Sequence, residues 1–324
     1  MADYINIRGQ NIEVVASDPA NPTQGQIWYN STSNTLKGLG FQTAAWASGG
    51  NLPVAKRAMA GAGTQTAALG AGGTAPSSQS NSTEEYNGSS WSSGGNLNTT
   101  RYSLAGAGTQ TAALVFGGVA PPGVTGATEE YDGSTWTTSP GSLATVRSNL
   151  AGTGIQTAGL AFGGNPGSSP YRTLSTEEYD GATWTAGGNL NTDKYASGAA
   201  GTQTAALGFG NTPYTGATEE YNGTSWATSP ASLNVARYSL AGFGTQTAAV
   251  GATGVAATGN SVSTEEYDGI SWTTSANIPL ARSNVAGAGS KSAGLVFGGY
   301  IAPNTDSTEE YTGSGPTTIT ITAS

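Results

Sequence analysis

Residues 101–138 read RYSLAGAGTQTAALVFGGVAPPGVTGATEEYDGSTWTT. Within them Ala112, Leu114 and Phe116 fall on one side of an extended chain and Ala113 and Val115 on the other, the period-2 signature of a strand. Gly-Thr-Gln-Thr separates this run from an earlier one rich in alanine and glycine. Asp132-Gly133, directly after Tyr131, reads as a tight hairpin with φ > 0 at both central residues, joining a third run to a fourth. No segment carries helical periodicity. The stretch is expected to form a four-stranded antiparallel meander.

The same pattern recurs along the chain. Thr-Glu-Glu-Tyr ends at Tyr86, Tyr131, Tyr179, Tyr221, Tyr267 and Tyr311, with spacings of 45, 48, 42, 46 and 44 residues. Five residues after the first five tyrosines stand Trp91, Trp136, Trp184, Trp226 and Trp272. Lys56, Arg101, Arg147, Lys194, Arg237 and Arg282 each lie seven positions before a glycine. A lone meander cannot bury both faces, so neighbouring copies must stack. Six units predict an all-β, six-bladed β-propeller of four-stranded antiparallel blades, preceded by an extended N-terminal arm. The first strands suit a narrow axis: Ala60-Gly61-Ala62 and Ala105-Gly106-Ala107 are typical, and Phe243 is the bulky exception. The repeated Tyr and Trp are expected in the core between blades.

The sixth unit has no tryptophan after Tyr311, whereas Phe41 and Trp46 reproduce the Tyr-to-Trp offset near the N-terminus. The Trp46 strand is therefore expected to complete the last blade, which would remove open sheet edges. This divides the chain into an N-terminal arm over residues 1–40, a propeller over 41–316 and a tail strand over 317–324. The alternating Thr317-Thr-Ile-Thr-Ile-Thr tail can add an edge strand or pair with a partner.

With no cysteine and no histidine among 324 residues, disulfides, thiolate chemistry, imidazole bases and His-ligated metals are excluded, and no cofactor or metal is expected. The net charge of −9 disfavours a nucleic-acid or anionic-membrane surface. No apolar run is long enough to span a bilayer, and Met-Ala-Asp-Tyr does not begin a signal peptide. Twelve of the 20 acidic residues are the Glu pairs of the repeat. Alternation sends the two members to opposite faces, one toward the repeat's Arg or Lys in a structural ring, the other toward solvent.

From its basic residue through paired glycines to Tyr and Trp, Arg101–Gly118 with Tyr131 and Trp136 resembles the kelch motif, as do Arg147–Gly164 and Arg282–Gly299. Asn211 and Thr253-Gly254 depart from the paired glycines, and the Tyr-to-Trp interval is short for kelch. The resemblance implies a propeller and no particular partner. Separately, Asp18-Pro-Ala-Asn-Pro-Thr-Gln-Gly-Gln-Ile-Trp28-Tyr29-Asn30 resembles N-terminal segments of tailed-bacteriophage structural proteins, especially marine ones, and the TEEYDGSTW-type repeats are similar to sequences in such phages. This implies a virion component made in the host cytoplasm, contacting other virion proteins through residues 1–40, with Trp28 and Tyr29 as anchoring residues, and open to homo-oligomerisation. A tail fibre or tail-associated adhesin binding a host-surface glycan or protein is the leading expectation. A capsid decoration protein and a polysaccharide-cleaving enzyme are the alternatives.

Catalysis is not expected. The Asp-x-Gly register of the sialidase turn fails because Asp132 and Gly133 are adjacent, and a copper oxidase needs His and Cys ligands. Every repeat Glu has equivalents in the other repeats, leaving Asp193 and Asp306 as the only acidic residues of the propeller outside the motif and its turn. Binding is expected in the loops after the second strand, where the repeats diverge. There Tyr171, Arg172, Tyr214, Tyr300, Pro121 and Pro122 are the candidate ligand contacts, since aromatic and Arg side chains give large contact area.

Overall fold

The computed structural model describes residues 12–321, which form strands and loops and no helix. They fall into two compact units, one made of the residues up to Ala44 together with those from Gly313 onward, the other of Ala45–Thr312.

In the larger unit the stretch read first forms one sheet, in the order Ala105–Thr109, Ala112–Phe116, Thr128–Tyr131, Trp136–Thr138, with every pairing antiparallel. Four further sheets repeat this order around Tyr86, Tyr179, Tyr221 and Tyr267. A sixth holds Ala286–Gly289, Ala293–Phe297 and Thr308–Thr312, and takes its fourth strand from Ala45–Ser48, with Trp46 opposite Tyr311.

The small residues of the first strands are there because those strands nearly touch. A Cβ placed on Gly61 would lie 2.6 Å from the carbonyl oxygen of Gly287, and one on Gly106 would lie 2.8 Å from that of Gly61. The strand Ala60–Thr64 packs against both Ala105–Thr109 and Ala286–Gly289, and the remaining first strands follow one another in chain order between these two. Phe243 borders this crowded zone, its ring edge 3.3 Å from where a Cβ on Gly287 would stand. Its ring lies against Gly294 and 6.3 Å from Tyr311, in the place that Leu114 fills against Gly159, where the fifth repeat has the smaller Val250.

Sheet-to-sheet cohesion is polar as well as apolar. Each repeat Trp packs 4.8–5.1 Å from the Tyr opposite it, and its indole N–H donates to the Thr of the preceding Thr-Glu-Glu-Tyr, as in Trp136 to Thr83 at 2.9 Å. Between the first two strands, Gln65, Gln110, Gln156, Gln203 and Gln246 each donate to two carbonyls of the preceding sheet. Lys291 takes that position in the sixth repeat and lies 3.5 Å from Glu266.

The turn after each Tyr differs from the expected two-residue hairpin. Four residues, Asp132–Thr135, separate Tyr131 from Trp136, and of Asp132-Gly133 only the glycine has positive φ. Asp132 instead accepts the backbone N–H groups of Ser134 and Thr135, so the Asp or Asn serves here as a hydrogen-bond acceptor rather than as a left-handed residue.

In the smaller unit, Glu13–Val15 runs parallel to Ile27–Asn30, which pairs antiparallel with Thr35–Gln42. Gly315–Thr320 adds the fourth strand beside Thr35–Gln42. The N-terminal segment is thus built into a sheet rather than extended alone, and the alternating tail is an edge strand of that sheet. Trp28 is wholly buried there, and Asp18 accepts from its indole N–H, from Asn30 and from Lys37 at 3.0, 2.8 and 2.7 Å. Those donors hold the Asp18 carboxyl down at about 2, the Lys37 bond contributing most.

Candidate functional site

The basic residue of each repeat sits beside the first Glu of its own repeat: Arg101–Glu129 at 2.8 Å, Arg147–Glu177 at 3.1 Å, Lys194–Glu219 at 3.4 Å and Arg237–Glu265 at 2.7 Å, with Lys56–Glu84 and Arg282–Glu309 also paired. Lys56, Lys194 and the four arginines are buried. Burial pulls Arg147 down to about 10, and it lowers Lys56 and Lys194 as well, against the pull of their carboxylates. The first Glu also accepts backbone N–H groups of the incoming segment, as Glu177 does from Ala144 and Thr145. With its oxygens committed to structure, this carboxylate holds the segment that carries its own cation.

The second Glu is partly exposed in five of the repeats, as the alternation suggested, but it is not left to solvent alone. Glu85, Glu130, Glu178, Glu220, Glu266 and Glu310 each accept from the Tyr hydroxyl of the next sheet, as Tyr131 donates to Glu85 at 2.6 Å and Tyr86 to Glu310 at 2.6 Å. A face that looks exposed within one meander is covered by the neighbouring one. Burial, and then the carboxylate partner, push Tyr86, Tyr131, Tyr179 and Tyr221 up to about 12.

Two residues after each repeat cation stands a residue with positive φ: Ala58, Ser103, Asn149, Ala196, Ser239 and Asn284, at 49–54°. Left-handed backbone costs a non-glycine residue about 1–2 kcal/mol. Here it aligns main chains, since each of these N–H groups donates to the carbonyl of the preceding member and Ala58 donates to Asn284, giving an unbroken cycle at 2.7–3.0 Å. Their side chains surround a small cup floored by Met59, Leu104, Leu150 and Leu240. These six positions read Ala-Ser-Asn twice over, and the repeat cations read Lys-Arg-Arg twice over. A period of three repeats is therefore written in the chain, a signal that repeat-by-repeat comparison passes over.

The candidate contacts fall into separate groups. Tyr171 is 66% exposed and Tyr214 is 43% exposed, with the Tyr214 ring 5.7 Å from that of Tyr238. Arg172 is half-buried, and its charge acts on the Tyr195 hydroxyl, which burial pushes up. Pro121 and Pro122 are exposed at the tip of the hairpin joining Val119–Ala120 to Gly123–Val124. Tyr300 carries the guanidinium of Arg57 over its ring at 4.5 Å. Trp28 is core in its own unit, and Tyr29 is half-buried with its hydroxyl on Asn34.

Arg57 is the residue that the contact candidates omit, although one signal marks it. It follows Lys56 directly, the other repeat cations are followed by Tyr or Ser, and one carboxylate per repeat cannot serve two adjacent cations. Among the described residues, Arg57 and Arg172 are the two cations with no carboxylate within ion-pair distance. No protein-family model matches this chain and no curated protein is significantly similar to it.

Proposed function

We propose that Ala45–Thr312 is a six-bladed, kelch-like β-propeller completed by the Trp46 strand, and that the chain is a tailed-bacteriophage virion protein whose loops attach to a host-surface glycan or protein. The cyclic succession of first strands, the cycle of six backbone hydrogen bonds and the Trp46–Tyr311 pairing support the propeller. The observation that carries attachment is the separation of charge roles. The repeat cations are neutralised inside the sheets, whereas Arg57 and Arg172 stand in or beside the divergent loops next to tyrosines. Aromatic and Arg side chains are what recognition surfaces concentrate.

Residues 1–40 remain the segment for contacts with other virion proteins, and the repeated carboxylates, held by Arg, Lys and Tyr, favour binding over catalysis. Labelled full-length protein applied to candidate host cells tests this reading. Saturable binding that weakens when Tyr171, Arg172, Tyr214 and Tyr300 are replaced by alanine supports attachment. Its absence, with the protein located on capsids by electron microscopy, makes decoration the function. Release of glycan fragments makes it an enzyme.

A further inference from the structure

We propose that the cleft lined by Arg57 and Tyr300 binds a carboxylate-bearing sugar unit of an acidic glycan, an inference that rests on the attachment reading and names its ligand class. The cleft has a volume of about 330 Å³, at the small end of ligand sites, and is walled by Thr74, Pro76, Pro303 and Asn304 as well as by the two named residues. It brings the first and sixth repeats together.

Its backbone is fixed from both sides. Arg57 and Thr74 exchange N–H to carbonyl bonds at 3.1 and 2.8 Å, Tyr300 and Ser283 do the same at 2.8 and 3.2 Å, and Asn304 donates across the junction to the Thr74 carbonyl at 2.8 Å. The guanidinium is therefore presented by a rigid frame, with its carbon 4.5 Å from the centre of an aromatic ring. A guanidinium over a ring still has N–H groups to offer a planar, bidentate acceptor. No carboxylate lies within ion-pair distance of Arg57, and no acidic residue lines the cleft. In a chain of net charge −9, such a cation is a local site for an anion.

The walls decide between carriers of that anion. Pro76, Pro303 and the Tyr300 ring offer apolar faces for the C–H face of a sugar. An acidic peptide is disfavoured, because the main-chain groups of Arg57 and Thr74 are bonded to each other and offer no ladder for an added strand.

The test uses full-length protein and calorimetric titration with a galacturonate trisaccharide, its neutral galactose counterpart and a glutamate-rich peptide. The uronate should bind, the other two should bind at least about tenfold more weakly, and added salt should weaken the uronate complex. Arg57→Gln and Tyr300→Ala should each lose at least about tenfold for the uronate, while Ile270→Ala, at an exposed turn outside the divergent loops, changes nothing. Arg57→Lys, which keeps the charge and loses the bidentate edge, should fall between wild type and Arg57→Gln. Equal affinity for the neutral sugar, preference for the peptide, or an unaffected Arg57→Gln variant overturns the proposal. If Arg57→Gln melts early, Tyr300→Ala and the uronate-to-neutral ratio of the wild type decide. Host cells bound equally by wild type and Arg57→Gln leave attachment standing and remove this cleft from it. Uronate binding without cell binding does the reverse.

Discussion

Two carboxylate clusters, one in each compact unit, show how differently the same chemistry behaves with burial. In the smaller unit Asp18 gathers Lys37, Asn30 and the Trp28 indole, yet Asp18 is 37% exposed and Lys37 18% exposed. In the larger unit Glu177 meets Arg147 with both side chains almost out of reach of solvent. An exposed pair is screened and contributes about 0–1 kcal/mol, whereas removing one partner of a buried pair strands the other charge and costs about 3–5 kcal/mol. The repeated unit is thus a scaffold whose charges are structural, and the Asp18 cluster is a local clasp.

The largest expected effect lies where the two units meet in sequence. Deleting residues 1–44 removes strands of the smaller unit only. Deleting 1–48 also takes Trp46, its ring 4.8 Å from Tyr311 and its N–H on Thr264 and the Ala276 carbonyl. The shorter deletion should leave the melting of the remaining unit unchanged. The longer one should cost about 3 kcal/mol or more, since a half-buried Trp and its whole strand are lost, and expose a sheet edge. Identical melting curves for the two truncations would remove Ala45–Ser48 from the stability of the larger unit.

Next comes Arg147→Ala, expected to lower unfolding free energy by about 3–5 kcal/mol in denaturant titrations. A loss below about 1 kcal/mol would place the repeat pairs with Asp18 and erase the contrast.

Tyr131→Phe should cost about 1–3 kcal/mol, because Glu85 and the Gly95 N–H both lose the hydroxyl. The same hydroxyls set an alkaline limit. With folded values pushed up to about 12 for Tyr86, Tyr131, Tyr179 and Tyr221, the stability they contribute is full below about 10 and lost as pH rises toward 12. Ultraviolet tyrosinate titration should show these tyrosines ionising only as pH approaches about 12. A single transition near pH 10 for all tyrosines would contradict the inter-sheet Tyr–Glu bonds.

The smallest effect is expected of Lys37→Ala, a loss too small to resolve from wild type in denaturant titrations. Asp18, held down at about 2, contributes stability above its ordinary value near 3.8, and this is lost as pH falls toward 2. The Trp28 indole N–H resonance should titrate with that low midpoint. A midpoint at the ordinary carboxylate value would mean that the three donors do not hold Asp18.

Much of this was legible in the repeat. Thr-Glu-Glu-Tyr and the Tyr-to-Trp interval mark the third and fourth strands of the sheets, and the offset from Phe41 to Trp46 located the strand that pairs with Tyr311. The turn was misread because Asp-Gly specifies a glycine with positive φ but not the loop length, and the extra two residues let Asp132 cap the turn. The partner of Glu85 was invisible because it lies in another repeat, 46 residues away. Arg57 is missing from the contact candidates because Tyr300 reaches it only across the junction between the last repeat and the first.

Local order therefore came from the sequence alone: which runs are strands, where each sheet begins, which residues are small and which cations recur. These follow from alternation, turn chemistry and periodicity, all of which act over a few residues. Tertiary structure decided which carboxylate is paired with a cation and which with a tyrosine, which glycines must lack a side chain, and which of the described cations are left without a carboxylate. Those outcomes depend on what a neighbouring sheet places over an exposed face, and that placement couples residues far apart in the chain.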